Sequence, residues 1–326
     1  MRIIEVENLC KDYQYSVRDD TRGFVYNLFR GGRKTVRAVN GISFSVEEGE
    51  TVAFIGPNGA GKSTTIKMLT GILYPTDGSV KVCGLTPVRQ RNELAYKIGT
   101  VFGQRSLLLP NLPLTDSMEM FGAMYDMKKE DVRKRTDELV EFFGMGEFVK
   151  QPVRKLSLGQ RMRAEIAVSL FHSPRIIFLD EPTIGLDVVS KKNLRDLLLK
   201  INREEKVTIF LTSHDTEDIQ SVCGRCMVIN HGDIVIDTST KKLMEQHIKY
   251  KTVIITPNTE FENFAELSEG MEYEEKGKDR IVIKVNIEYL TMQEALQELT
   301  GKYDIYDIDI QNESLESVIR GIYGKD

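Results

Sequence analysis

The sequence predicts an α/β protein on a largely parallel sheet with helices on both faces, followed by a small α+β domain of ferredoxin-like type. Three observations carry this. Short apolar runs alternate with helical stretches through about residue 240. Those runs are continuous, as expected of strands buried on both faces. From about residue 248 the pattern changes to strands with period-two alternation, cleanest at Tyr306, Ile308 and Ile310 against Asp307 and Asp309. The 326 residues leave room for roughly two domains at about 150 residues each. The expected division is 1–240 and 241–326.

Within the first domain the strands fall at Thr51–Ile55, Ile98–Phe102, Ile176–Leu179, Val207–Leu211 and Met227–Ile229. Helices are expected over Lys62–Leu69, Asp131–Phe143 and Gln160–Phe171. Residues 105–155 hold no convincing strand and read as a helical subdomain. Residues 14–35 break the pattern and read as an insertion. It carries Arg18, Arg22, Arg30, Arg33 and Lys34, with Arg37 just beyond, around an apolar knot of Phe24, Val25, Leu28 and Phe29. A basic patch beside an apolar knot suits lipid headgroups or a membrane partner. In the second domain, strands at Val253–Ile255, near Glu272, Ile281–Val285 and Tyr306–Ile310 alternate with helices at Glu260–Leu267, Thr291–Leu299 and Ser314–Tyr323. The order β-α-β-β-α-β is ferredoxin-like.

Composition narrows the function. Lys plus Arg number 44 against 49 Asp plus Glu, a net charge of -5. A basic field is absent, so no nucleic-acid partner is expected. No apolar run is long enough to span a bilayer, and MRIIEVENLC lacks the layout of a signal peptide. Cys10, Cys83, Cys223 and Cys226 make no disulfide framework, which points to a reducing cytoplasm. The CxxC spacing of Cys223 and Cys226 has no second pair or nearby His to complete a metal site, and reads as structural.

Gly56-Pro57-Asn58-Gly59-Ala60-Gly61-Lys62-Ser63 fits the phosphate-binding loop G-x-x-x-x-G-K-[ST], with the strand TVAFI leading in and a helix beginning at Thr64 leading out. Glycines let backbone N–H groups converge on phosphate oxygens, and the helix N-terminus adds its positive end. Lys62 is placed for β- and γ-phosphates, and Ser63 for Mg²⁺. Asp180 and Glu181 end the apolar strand after Arg175. A buried strand gains nothing from two terminal acids unless a cation or proton needs them. Asp180 suits Mg²⁺, and Glu181 suits polarising an attacking water. Gln104 and His214 also follow apolar strands, so they are expected at the same sheet edge, where α/β proteins bind ligands.

With these motifs in place, the chain resembles the ATP-binding subunit of an ABC transporter over residues 1–240, apart from the 14–35 insertion. Its most diagnostic piece is Leu156-Ser157-Leu158-Gly159-Gln160, which is similar to the family signature LSGGQ. The resemblance implies that Ser157, Gly159 and Gln160 contact the γ-phosphate of a nucleotide held by a second subunit. A head-to-tail dimer follows, most simply a homodimer. It further implies that Tyr13 stacks on adenine, with Tyr15 as an alternative. Gln104 would touch Mg²⁺ and face the membrane subunit. Ile184-Gly185-Leu186-Asp187 would be the D-loop, with Asp187 crossing the dimer, and His214 the switch histidine. Leu158 and Ile184 depart from the family's small residues at those positions. The layout resembles ABC-2 exporter ATPases, which work with a separate integral-membrane permease at the cytoplasmic face of the membrane. The helical surface near Leu107–Met120 would receive the permease. The alternative is a soluble ABC ATPase acting on ribosomes or DNA. A lone nucleotide domain and the lack of a long coiled coil argue against it.

Overall fold

A computed structural model describes residues 1–17, 32–102, 106–213, 215–247, 249–261 and 263–312. The chain divides into two compact units, Met1–Thr240 and Lys241–Asp326.

The first unit opens with a long antiparallel pair, β1 (Arg2–Val17) and β2 (Gly32–Glu47). Then follow β3 (Thr51–Ile55), α1 (Lys62–Leu69), β4 (Asp77–Val82), α2 (Arg91–Ala95) and β5 (Ile98–Phe102). Next come α3 (Leu114–Met124), α4 (Lys129–Phe142), α5 (Leu158–Ser169), β6 (Ile176–Asp180) and α6 (Val188–Glu204). The unit continues with β7 (Thr208–Thr212), α7 (Thr216–Val222), β8 (Arg225–Asn230) and β9 (Asp233–Ser239). A six-stranded sheet runs β5-β6-β7-β3-β8-β9. Its strands are parallel except β9, which is antiparallel to β8. The five apolar runs of the sequence are β3, β5, β6, β7 and β8 of this sheet.

A second, antiparallel sheet, β2-β1-β4, was not read from the sequence. Its signal is the alternation of buried Ile42, Phe44 and Val46 with Ser43, Ser45 and Glu47. The sheets meet through aromatic rings: Phe44 of β2 lies 6.1 Å from Phe54, which lies 5.5 Å from Phe210. Offset and tilted rings of this kind add to what burial alone supplies. The insertion expected over 14–35 begins and ends in paired strand. Gln14 to Val17 pair with Thr35 to Gly32 and prolong the hairpin, because backbone pairing continues whatever the side-chain polarity. Residues 18–31, with most of the basic patch and the apolar knot, lie outside the described residues. Arg37 is not a free member of that patch: it forms a two-point ion pair with Asp12, at 2.8 and 3.2 Å.

Between β5 and β6 the described residues are helical or irregular, as α3, α4 and α5 show. Cys223 and Cys226 are both buried. Burial pushes both thiols up, Cys226 to about 12, so neither is a ready nucleophile. Among the described residues no His, Cys, Asp and Glu cluster could hold a metal ion. Among them, too, no helix is long and apolar enough to cross a membrane.

The second unit contains β10 (Tyr250–Pro257), β11 (Met271–Lys276), β12 (Ile281–Asn286), α9 (Met292–Lys302) and β13 (Ile305–Asn312), with α8 (Thr240–His247) at the boundary. Its sheet runs β11-β12-β10-β13, antiparallel at every pairing, which is the ferredoxin-like order. The helix expected at Glu260–Leu267 is not formed among the described residues of that segment. Side chains of neighbouring elements take that segment's backbone groups instead: Tyr303 Oη accepts from Ala265 N at 2.8 Å, and Tyr273 Oη donates to Ala265 O at 2.7 Å. Phe261 turns into the core against Tyr303. A helix of that length has little intrinsic stability to oppose these bonds. The helix expected at Ser314–Tyr323 lies outside the described residues.

His172, just after α5, ties the helical region to β5. Its Nε2 lies 3.0 Å from Ile98 O, its ring stacks 4.0 Å from Tyr125, and its Nδ1 has no hydrogen-bond partner. Burial pushes its pKa down to about 4, so it is neutral in the fold. The unfolded chain therefore takes up a proton that the fold refuses between pH 6.5 and about 4. Its stability contribution is complete above pH 6.5 and declines as the pH falls to about 4. Replacing it, His172→Gln, should flatten the fall of the urea midpoint across that window. An unchanged slope would contradict this assignment.

Candidate functional site

The loop Gly56–Ser63 turns from β3 into α1 against two other strands. A Cβ on Gly56 would lie 2.2 Å from Ile229 O in β8. One on Gly61, at φ +111°, would lie 2.5 Å from Ala38 O in β2. Neither position admits a side chain, and the backbone is held close-packed as a result. Ala60 O accepts from Gly232 N at 3.1 Å. Gly61 caps α1 with no side-chain hydrogen bond, and the first turn holds no acid. The positive helix end is thus left to an anion.

Asn58, Gly59, Gly61, Lys62, Ser63, Thr64 and Glu181 line a cavity of about 160 Å³ at this turn. Lys62 is 6% exposed. Its Nζ donates to Gly56 O at 2.6 Å and Pro57 O at 3.1 Å. Burial pulls its pKa down, while Glu181 and Asp180 push it back up. Ser63 Oγ stands 3.5 Å from Asp180 Oδ1, the pairing of hydroxyl and carboxylate that a hard divalent cation takes.

Asp180 ends β6 opposite Thr212 of β7. Thr212 Oγ1 donates to Asp180 Oδ1 at 2.6 Å. Glu181 N donates to Thr212 O at 3.0 Å and to Thr212 Oγ1 at 3.1 Å. Glu181 itself adopts a left-handed backbone, φ +54°, unusual for a non-glycine residue. The chain leaves the sheet sharply there, and the carboxyl turns into the cavity. Thr212 was missed by the sequence reading. Its signal is positional, as the hydroxyl that closes an apolar strand beside the acidic one.

A second group of predicted residues gathers elsewhere in the same unit. Ser157 caps α5: its Oγ accepts from Gln160 N at 3.2 Å, and Gln160 Oε1 accepts from Ser157 N at 2.9 Å. This capping box uses the serine oxygen and leaves its hydrogen to donate. A Cβ on Gly159 would lie 2.6 Å from Ser190 Oγ. Ser190 is held in turn by Asp187, which accepts from its N at 2.9 Å and its Oγ at 2.7 Å. Those bonds hold the Asp187 carboxyl below its ordinary range. The signature glycine therefore packs on the cap of α6. Leu158, Ile184, Val188 and Val189 are all exposed beside it.

Ser157, Gly159, Gln160 and Asp187 do not line the cavity, and neither does Tyr13. Tyr13 lies in β1 opposite Val36, with Lys11 Nζ 5.5 Å from its ring, and Tyr15 lies opposite Lys34. Gln104 and His214 lie outside the described residues.

Comparison with known proteins bears on the family. The profile of the family described as "ABC transporter" matches residues 39–184. The ABC transporter ATP-binding protein NatA of Bacillus subtilis is 34% identical over 217 residues, covering 67% of this chain and 88% of that protein. The bacitracin transport ATP-binding protein BcrA of Bacillus licheniformis is 30% identical over 214 residues, covering 66% and 69%. Among solved structures, the dimeric cassette MJ0796 bound to ADP and Pi aligns with a TM-score of 0.60 at 26% identity, over 72% of this chain and 98% of that one. The cbiO1 subunit from Clostridium perfringens aligns at 0.61 with 25% identity, over 75% and 94%. The ribosome- or DNA-acting alternative finds no support in these relatives. The chain belongs to the ATP-binding subunits of ABC transporters, a family of ATPases.

Proposed function

We propose that this chain is the ATP-hydrolysing motor of an exporter of the ABC-2 type, working as a head-to-tail dimer on a separate membrane permease. The observation that carries the chemistry is the cavity at the start of α1, where Lys62, Ser63 and Glu181 converge. Export is supported by relatives whose names include bacitracin transport and linearmycin resistance. Dimerisation is supported by the dimeric cassette among the solved structures. The permease is integral to the membrane, and this subunit sits peripherally on its cytoplasmic face.

In this reading the backbone N–H groups of Gly59, Ala60 and Gly61 and the Lys62 ammonium hold the phosphates of ATP. The ammonium already lies in a low-dielectric setting, so its attraction for phosphate is stronger than at a surface. Ser63 and Asp180 would hold Mg²⁺, with Gln104 as the third contact implied by the family. A cation held there would supply neutralisation of phosphate charge. Tyr13 stacks on the adenine. Glu181 accepts a hydrogen bond from the attacking water and draws its proton, with His214 at the γ-phosphate. Ser157, Gly159 and Gln160 of the second copy close the site, and Asp187 reaches across the same junction. Such a reaction needs little covalent help; positioning and charge stabilisation carry the rate.

Replacing the water-polarising group, Glu181→Gln, should leave ATP binding intact and lower turnover by about 10²–10³-fold. Parent-level turnover would refute its catalytic role. Ser157→Arg should retain ATP binding by the single chain and abolish hydrolysis. A Ser157→Arg protein that hydrolyses at full rate would exclude a shared site. Extraction of the tagged chain from membranes in mild detergent should bring down a stoichiometric multi-span protein. Recovery with ribosomes or DNA instead would refute the transport reading.

A further inference from the structure

One buried carboxylate joins the two segments that flank the hydrolytic groups. Asp218, in α7, is 1% exposed. Its Oδ2 accepts from Thr183 Oγ1 at 2.5 Å and from Ser213 Oγ at 2.7 Å. Its Oδ1 accepts from Arg195 Nε at 2.6 Å. Thr183 lies between Glu181 and the D-loop, and Ser213 immediately precedes His214. Arg195 lies on α6, the helix that Asp187 caps.

The far side of His214 is tied to the same helix. Asp215 accepts from Lys191 Nζ at 2.6 Å. Arg195 Nη2 stands 3.3 Å from Asp215 Oδ1, an ion pair without hydrogen-bond alignment. Arg195 Nη1 also donates to Glu217 at 2.5 Å. Ser213 Oγ accepts from Asp215 N at 2.9 Å. Both neighbours of His214 and the stem of the D-loop are therefore fixed to one node.

Packing alone does not call for this node. Burying a carboxylate against a guanidinium costs desolvation that apolar residues of like volume would avoid. What the node supplies is a side-chain tie between the two segments, beyond the backbone hydrogen bond from Glu181 N to Thr212 O at the strand ends. We propose that Asp218 is a positioning residue for hydrolysis. Through Thr183 and Ser213 it holds the segment after Glu181 against the end of β7, so that Glu181 keeps one orientation toward the γ-phosphate. The inference rests on the reading of Glu181 as the hydrolytic base.

The test removes one donor at a time from the full chain. Thr183→Val keeps the shape and loses the hydroxyl; Ser213→Ala does the same for the other loop. Each should lower kcat by about 10- to 100-fold, the scale of a misplacement near 1 Å, with KM for ATP changed less than about twofold. The double variant should lose little more than either single one, because both act through the same carboxylate. Thr183→Ser, which restores the hydroxyl, should recover kcat. A merely structural bond would change thermal stability and leave kcat alone. Folded Thr183→Val and Ser213→Ala proteins with parent kcat would overturn the inference, as would strictly multiplicative losses in the double variant. Glu181→Gln assayed alongside separates the two levels. If it is inactive while Thr183→Val and Ser213→Ala turn over normally, only this inference fails. If Glu181→Gln turns over normally, the hydrolytic reading falls and takes this inference with it.

Discussion

A lysine ammonium buried to 6% exposure is the constraint on which the site depends. An isolated buried charge is costly, and it is tolerated only where oxygens surround it. Here they are the carbonyls of Gly56 and Pro57, with the carboxylates of Asp180 and Glu181 nearby. Each requirement reaches outward. The carbonyls face inward only because the loop is a tight turn, and the turn closes only because Gly56 and Gly61 carry no Cβ. The carboxylates arrive only because β6 runs buried beside β7 and ends level with Thr212. Phe54, Phe178 and Phe210 pack ring against ring across β3, β6 and β7, at 5.5 and 5.6 Å. In the proposed function, phosphate binding would trade the carbonyl partners of Lys62 for phosphate oxygens.

The second group has a different character. Ser157 and Asp187 are caps of α5 and α6, and Gly159 packs on Ser190 between them. These bonds make the signature and the D-loop one rigid surface. That surface presents the serine hydrogen and four exposed apolar side chains, Leu158, Ile184, Val188 and Val189. A phosphate cradle and a separate donor surface on one chain are the two halves that a head-to-tail pair would bring together.

What the sequence made legible follows the range of the interactions. The phosphate loop is a run of adjacent residues whose reason is local, so Lys62 and Ser63 could be placed without a fold. Asp180 and Glu181 were legible because two acids after an apolar strand have no packing explanation. Thr212 and Asp218 were not, because their meaning lies in partners 32 and 35 residues away in the chain. The sheet β2-β1-β4 was missed for a related reason: its alternating strands are ordinary alone and become a layer only through long-range pairing. The segment 260–267 looked helical on apolar spacing, yet Tyr273 and Tyr303, from elsewhere in the chain, claim its backbone. Period and propensity describe a segment in isolation, and tertiary hydrogen bonds override them where the segment is short.

The central claim is that the site is completed by a second copy of this chain. Light scattering of the purified Glu181→Gln protein, with Mg²⁺ and either ATP or ADP, tests it most directly. The account predicts the mass of one chain in ADP and twice that mass in ATP. A single-chain mass in saturating ATP, with nucleotide shown to be bound, would contradict it.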